Sequence, residues 1–222
     1  PDSPWKTISH ALTAIDEPSE ENPAVINVAS GIYNAALGEG FPIQIPSHVR
    51  IRCGFNGSDW SRNTSQNVTT ITRTAGRILE ISSKDDVVID GVTISGVLSS
   101  PASDSGAGVY LSQVGSDVRF SNCIFTKLKT TAHGGGAYLV DASPIFERCL
   151  FDECIADDFG ATTSYGGAIY ASGGSPQIQS CEFSFNQSDR AGALYGIDCT
   201  GLQVGGSLFH NNYANVEGPA IL

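Results

Sequence analysis

Methionine is absent from this chain of 222 residues, and Lys and Arg together number only 12 against 23 Asp and Glu. The formal net charge is -11 and no basic cluster exceeds a couple of residues, which argues against nucleic acid or an anionic membrane surface as a partner. No stretch approaches the roughly 18 apolar residues of a membrane-spanning helix, so direct membrane insertion is not expected. Six cysteines are too few for a disulfide scaffold at this length, and the lack of a C-x-x-C pair removes the usual zinc and redox spacings. The opening PDSPWKT carries no leader-like apolar segment, so a mature or processed form is expected.

What the chain has in quantity is glycine, 25 residues, and a repeat. Ile94, Phe125, Phe151, Phe183 and Phe209 recur at steps of 31, 26, 32 and 26 residues. Two residues before each stands Val92, Cys123, Cys149, Cys181 or Ser207, and five before stands Ile89, Phe120, Phe146, Ile178 or Val204. A second phrase falls between these anchors: GAGVY, GGAY, GGAIY, AGALY and GPAIL. Each repeat therefore holds three apolar segments too short for helices, with the alternation of strands. Like residues at like phase predict an all-β solenoid, a right-handed parallel β-helix with three short strands per rung. The variable length sits between each Phe and the next Gly-Gly, which marks one edge as the place for loops and for binding.

The first third differs. Ser3 and Pro4 read as a helix N-cap and first turn, with Trp5, Ile8, Leu12 and Ile15 on one face. The expected organisation is one domain over 1–222: a helical cap over 1–20, irregular first rungs over 21–86, and regular repeats over 87–222. About seven rungs are expected. The chain stops at GPAIL in mid-rung, which predicts a fragment of a longer protein.

These phrases resemble a known family, the right-handed parallel β-helix proteins of the pectin-lyase-like superfamily. GGAI at 166–169, FSFN at 183–186 and FHNN at 209–212 look like the repeats of chlamydial polymorphic outer membrane proteins. SPWKTISHAL and SGIYNAALGEGFPIQIPSHVRIRCGF are similar to a domain of unknown function that begins many secreted bacterial β-helices. The F-x-x-N asparagine is replaced by Leu128 and Cys154 in earlier rungs, so any polar ladder there is partial. The resemblance implies the fold; the superfamily holds lyases, hydrolases, adhesins and tailspikes, so it leaves function open.

Candidate sites lie on the loop edge. Asp152, Glu153, Asp157 and Asp158 form an acidic group that could hold Ca²⁺, the only cofactor suggested, and Lys127, Lys129, His133, Asp189 and Arg190 stand on adjacent rungs as ligand-binding candidates. A solvated acidic loop surface is the plain reading of both sets. In superfamily enzymes the catalytic acids or the Ca²⁺ and its base usually stand on or beside the Gly-Gly strand, whose copies here are Gly, Ala, Val, Ile and Tyr; no catalytic residue is assigned.

The near-periodic Tyr110, Tyr138, Tyr170 and Tyr195 form a carbohydrate-stacking stripe if they point outward and a core ladder if inward, the ladder being preferred. Cys123, Cys149 and Cys181 share one column with Phe125, Phe151, Phe183 and Phe209 as core ladders beside them. Rungs about 4.8 Å apart exceed the ~3.8 Å Cβ separation of a disulfide, which favours stacked free thiols. Cys53, Cys154 and Cys199 are left unassigned. Asn56, Asn63, Asn67 and Asn186 begin N-x-[ST] triplets and are the glycosylation candidates.

The function expected is a non-catalytic, secreted or cell-surface module of adhesin or passenger type, binding a glycan or protein through one edge. A filament subunit whose partner is further copies of itself is the second reading, and a polysaccharide lyase or hydrolase the third.

Overall fold

The computed structural model describes residues 4–160 and 163–222, and these form a parallel β-solenoid of about seven turns behind one short helix. The first sheet stacks seven strands, from Ala24–Ala29 through Val49–Phe55, Val87–Asp90, Arg119–Ser121, Ile145–Glu147 and Gln177–Gln179 to Gln203–Gly205. A second sheet of seven runs in step with it, from Gly31–Tyr33 to Leu208–His210. The Gly-Gly phrases lead into another sheet, of six strands, from Ile43–Gln44 to Leu194–Ile197. Every strand pair within the sheets is parallel, which puts like residues of successive rungs one above another.

The sequence repeat is this register. Phe125 pairs with Phe151, Phe151 with Phe183 and Phe183 with Phe209. Their rings stack at 4.5, 5.0 and 4.5 Å between centroids, within 5° of parallel. Phe120 lies over Phe146 in the neighbouring column at 5.1 Å. All six cysteines are free; Cys123, Cys149 and Cys181 direct their thiols at backbone carbonyls of the same and the preceding rung. The buried apolar side chains form one continuous core from Ile8 to Leu194.

A further sheet occupies the stretch read as loop. Lys129–Thr130, Ile155–Ala156, Gln187–Arg190 and Tyr213–Glu217 stack as four strands between each Phe and the following Gly-Gly phrase. Lys129, Asp189 and Arg190 are thus strand residues, on segments of two to five residues without a readable apolar alternation.

The chain changes direction largely at single residues in the left-handed region. One corner column is Lys127, Glu153, Phe185 and Asn211, with φ between 53° and 55°, and another is Asn122, Arg148 and Ser180, with φ between 51° and 53°. Glycine takes this task in the column Gly106, Gly134 and Gly166, where φ is 62° to 72°. The following Gly135 and Gly167 are required for a different reason. A Cβ there would strike carbonyl oxygens of the next rung and the backbone of Ile155 or Gln187.

The N-terminal helix is Ile8–Ala14, capped by the Thr7 hydroxyl, which accepts from His10 N at 3.2 Å. The cap expected at Ser3 lies outside the described residues, and Pro4 and Trp5 precede the helix. Ile8, Ala11 and Leu12 are buried, Ile15 is half-buried and Trp5 is exposed. Glu39, 4 % exposed, accepts from the helix amides of Ile8 and Ser9, both at 2.8 Å. This carboxylate fastens the helix to the first rung and answers two of its unpaired N-terminal donors. Glu39→Ala is expected to cost about 2–3 kcal/mol and Glu39→Gln less, since one acceptor remains; urea unfolding measures both, and an unchanged midpoint for Glu39→Ala would refute the linkage.

Candidate functional site

On the six-stranded sheet, burial alternates strictly along the central strands. Leu79, Val109, Ala137, Ile169 and Leu194 fill the core side of one column, so the next residue of each strand faces out. Those outward residues are Glu80, Tyr110, Tyr138, Tyr170 and Tyr195. Two positions on stand Ser82, Ser112, Val140 and Ser172, also outward.

The tyrosines are therefore not inside. Even so, they form a ladder, with centroids 5.9, 4.9 and 5.5 Å apart and ring planes within 17° of parallel. The two alternatives posed by the sequence are both incomplete. The rings point outward, but each covers its neighbours' faces, because the rung spacing is close to the stacking distance of aromatic rings. A sugar cannot stack on those faces. What the column presents is a row of ring edges and phenol hydroxyls, and among the described residues no hydrogen bond engages the hydroxyls of Tyr110, Tyr138 and Tyr195. Burial, followed by the adjacent tyrosine, raises the pKa of Tyr138 and of Tyr170 above the ordinary phenol value and keeps both neutral.

A second column borders the first. Ser105, His133, Tyr165, Arg190 and Glu217 each precede the turn into this sheet, tied by Gly106 N to His133 O, Gly134 N to Tyr165 O, Gly166 N to Arg190 O and Ala191 N to Glu217 O. The His133 ring lies 5.1 Å from Tyr170 and meets Tyr165 edge-on at 5.2 Å. Its Nδ1 is buried without a hydrogen-bond partner. Burial pushes His133 below the usual histidine value, with Asp158 pulling weakly the other way. At the N-terminal end the Arg77 guanidinium covers Tyr110 at 4.0 Å and pairs with Glu80 at 2.9 Å.

Of the ligand-binding candidates, only His133 joins this face closely. Arg190 heads toward it but pairs with Glu217 at 3.5 Å. Asp189 accepts from Ser164 N, Ser164 Oγ and Asn215 Nδ2; burial opposes ionisation, yet these bonds hold its carboxyl below the ordinary range. Lys129 pairs with Asp157 at 3.2 Å and lies 4.6 Å from the centre of the Phe159 ring, while Lys127 is an exposed corner.

The acidic candidates are dispersed. Asp152 accepts from Ser184 Oγ, Glu153 is a corner residue, Asp157 serves Lys129 and Phe159 N, and Asp158 accepts from Gly160 N. Among the described residues no group of three or more His, Cys, Asp and Glu is placed to hold a metal.

Asn56, Asn63 and Asn67 stand on one loop with partial or full exposure. Asn186 is different: it is 0 % exposed, and its Nδ2 donates to Phe151 O and Asn212 Oδ1, both at 2.9 Å. The folded chain offers no free amide there for a glycan. Its Oδ1 accepts from Cys154 N at 3.0 Å, and Asn212 repeats the arrangement by donating to Phe183 O. The F-x-x-N phrase is thus an asparagine ladder spanning two rungs, and in the rung before, the Cys154 thiol approaches Phe125 O in its stead.

Stacked parallel sheets, columns of like residues and a capping helix define the chain as a parallel β-helix. Within that class, the family model described as Protein of unknown function (DUF1565) matches residues 1–146, well over half the chain, and the protein belongs to that family. The match covers the helix and the first rungs and ends at Phe146, inside a first-sheet strand. No curated protein matches the chain, and no solved structure does.

Proposed function

We propose that this β-helix is a non-catalytic extracellular module that binds an uncharged linear glycan along the outer face of its six-stranded sheet. One observation carries the reading: tyrosine hydroxyls stand there in one column on four successive rungs, with Ser82, Ser112 and Ser172 in the column beside it, on a face whose carboxylate, Glu80, is already paired with Arg77. The rung step of about 4.8 Å is on the order of one sugar ring, so a chain lying along the solenoid axis meets equivalent donors and acceptors at successive residues. Rigid stacking fixes the hydroxyls before binding, which reduces the ordering cost. The carboxylates on and beside this face, Glu80 and Glu217, are each paired with an arginine, which favours recognition over acid–base chemistry.

Replacing hydroxyls while keeping the rings isolates the claim. The double variant Tyr138→Phe with Tyr170→Phe retains the stack, so its melting temperature is expected to stay within a degree or two, while affinity for the bound polysaccharide falls about tenfold, as two lost hydrogen bonds imply. Co-sedimentation with a panel of insoluble neutral polysaccharides supplies the measurement. Absence of binding across the panel, or equal binding by the double variant, refutes the assignment.

A further inference from the structure

The chain has two tryptophans, and both line one cavity at the opposite end of the body from the last rungs. The cavity, of about 450 Å³, opens between the N-terminal helix and the first strand. Ile26 and Val28 form an apolar floor with Ile8 and Ala11, and Trp5, Trp60 and Tyr33 supply aromatic walls. Trp5 and Trp60 keep 39 % and 43 % of their surface exposed, so indole surface is left uncovered, in contrast to the tyrosine ladder.

Trp60 is held there against its backbone preference. Its φ is 55°, a region that a bulky side chain rarely adopts. The loop around it is closed by Asn56 N to Ser61 O and Trp60 N to Asn56 O, with Asn56 and Asp59 side chains bonded to Ser58 and Ser61. The same backbone recurs at the single-residue corners of the solenoid, and here these bonds over-determine it.

Among the described residues no charged side chain lines the cavity, although the chain as a whole carries -11. Polar groups are few. Asn27 alternates with the buried Ile26 and Val28, so its side chain faces away from them, but its strand is paired on one side only and offers the cavity a free backbone edge. We infer that this cavity is a binding site for an uncharged ring with an apolar face and a hydrogen-bonding substituent, seated against the indoles of Trp5 and Trp60 and oriented by the free backbone edge of the strand that carries Asn27. The volume fits a ligand of small-molecule size. A sugar residue or a phenol satisfies this chemistry equally. The site is independent of the hydroxyl face proposed above.

Because both tryptophans line the cavity, intrinsic fluorescence of the full chain reports on it directly. Titration with methyl glucoside and with p-cresol separates the two sources of ring, and benzoate tests charge. A saturable emission change with at least one uncharged probe is expected, with benzoate at least tenfold weaker. Trp60→Gly relieves the backbone strain and removes the wall, so it is expected to bind at least tenfold more weakly without a lower melting temperature. If that variant fails to fold, Trp60→Phe serves, with a loss of threefold or more. A flat titration with both uncharged probes, benzoate binding as well as they do, or unchanged affinity in the folded Trp60 variant overturns the site.

Discussion

Phe151→Ala is expected to lower the unfolding free energy by about 3–5 kcal/mol. Phe151 is fully buried in the middle of the aromatic column, 4.5 Å from Phe125 and 5.0 Å from Phe183, with Phe146 edge-on at 5.6 Å. Two stacking contacts and one edge contact are lost together, and the rungs on either side cannot close the gap. Their spacing is fixed by backbone hydrogen bonds such as Leu150 N to Cys123 O and Glu182 N to Cys149 O. The equivalent change at Phe209 serves as the comparison. Phe209 is only partly buried and stacks on one neighbour, so its loss is expected to be less than half as large. Urea denaturation of both variants supplies the two values. Equal losses would mean that column position carries no weight.

The second large effect falls on a polar residue. Asn186→Leu is expected to cost about 2–4 kcal/mol, although leucine occupies the matching place two rungs earlier at Leu128. Shape alone would therefore permit it. The cost comes from Cys154 N and Phe151 O, both inside the body and both bonded to the Asn186 amide, which lose their partner. Hydrogen exchange locates the loss as well as sizing it. The Cys154 amide is expected to lose protection first, and retained protection there would show that the ladder is not what holds the turn. The same bonds make Asn186 a poor glycan acceptor, so a glycopeptide map with a sugar on Asn186 would contradict the buried geometry directly.

The aromatic register and the thiol column were legible in the sequence because identical side chains recur at one phase: Phe125, Phe151 and Phe183 announce their own stacking. The additional sheet was not, since a strand such as Lys129–Thr130 has two residues and no room for a pattern. Corners were half visible. Gly134 and Gly166 mark theirs, whereas Lys127, Glu153 and Phe185 adopt the same left-handed backbone without a residue type that advertises it. The tyrosines were visible as a column but not as a face, because the direction of a strand's odd and even residues depends on where the preceding turn ends. Glu39 had no local signal at all. It reaches the helix from 30 and 31 residues away, and only the folded chain brings the two together. The Trp5 and Trp60 cavity was hidden in the same way, being assembled from a segment before the helix and a loop beyond the second first-sheet strand.

The single-residue corners carry a consequence for how such a molecule changes over generations. A corner made by one left-handed residue has no slack, so the chain tolerates extra length chiefly in the stretch that leads to the Gly-Gly turn and otherwise lengthens by copying a whole rung. Each copied rung adds one more tyrosine to the outer column. For a polymeric ligand, duplication then raises valency in unit steps, and grip on a long chain is set by copy number rather than by refinement of any one contact.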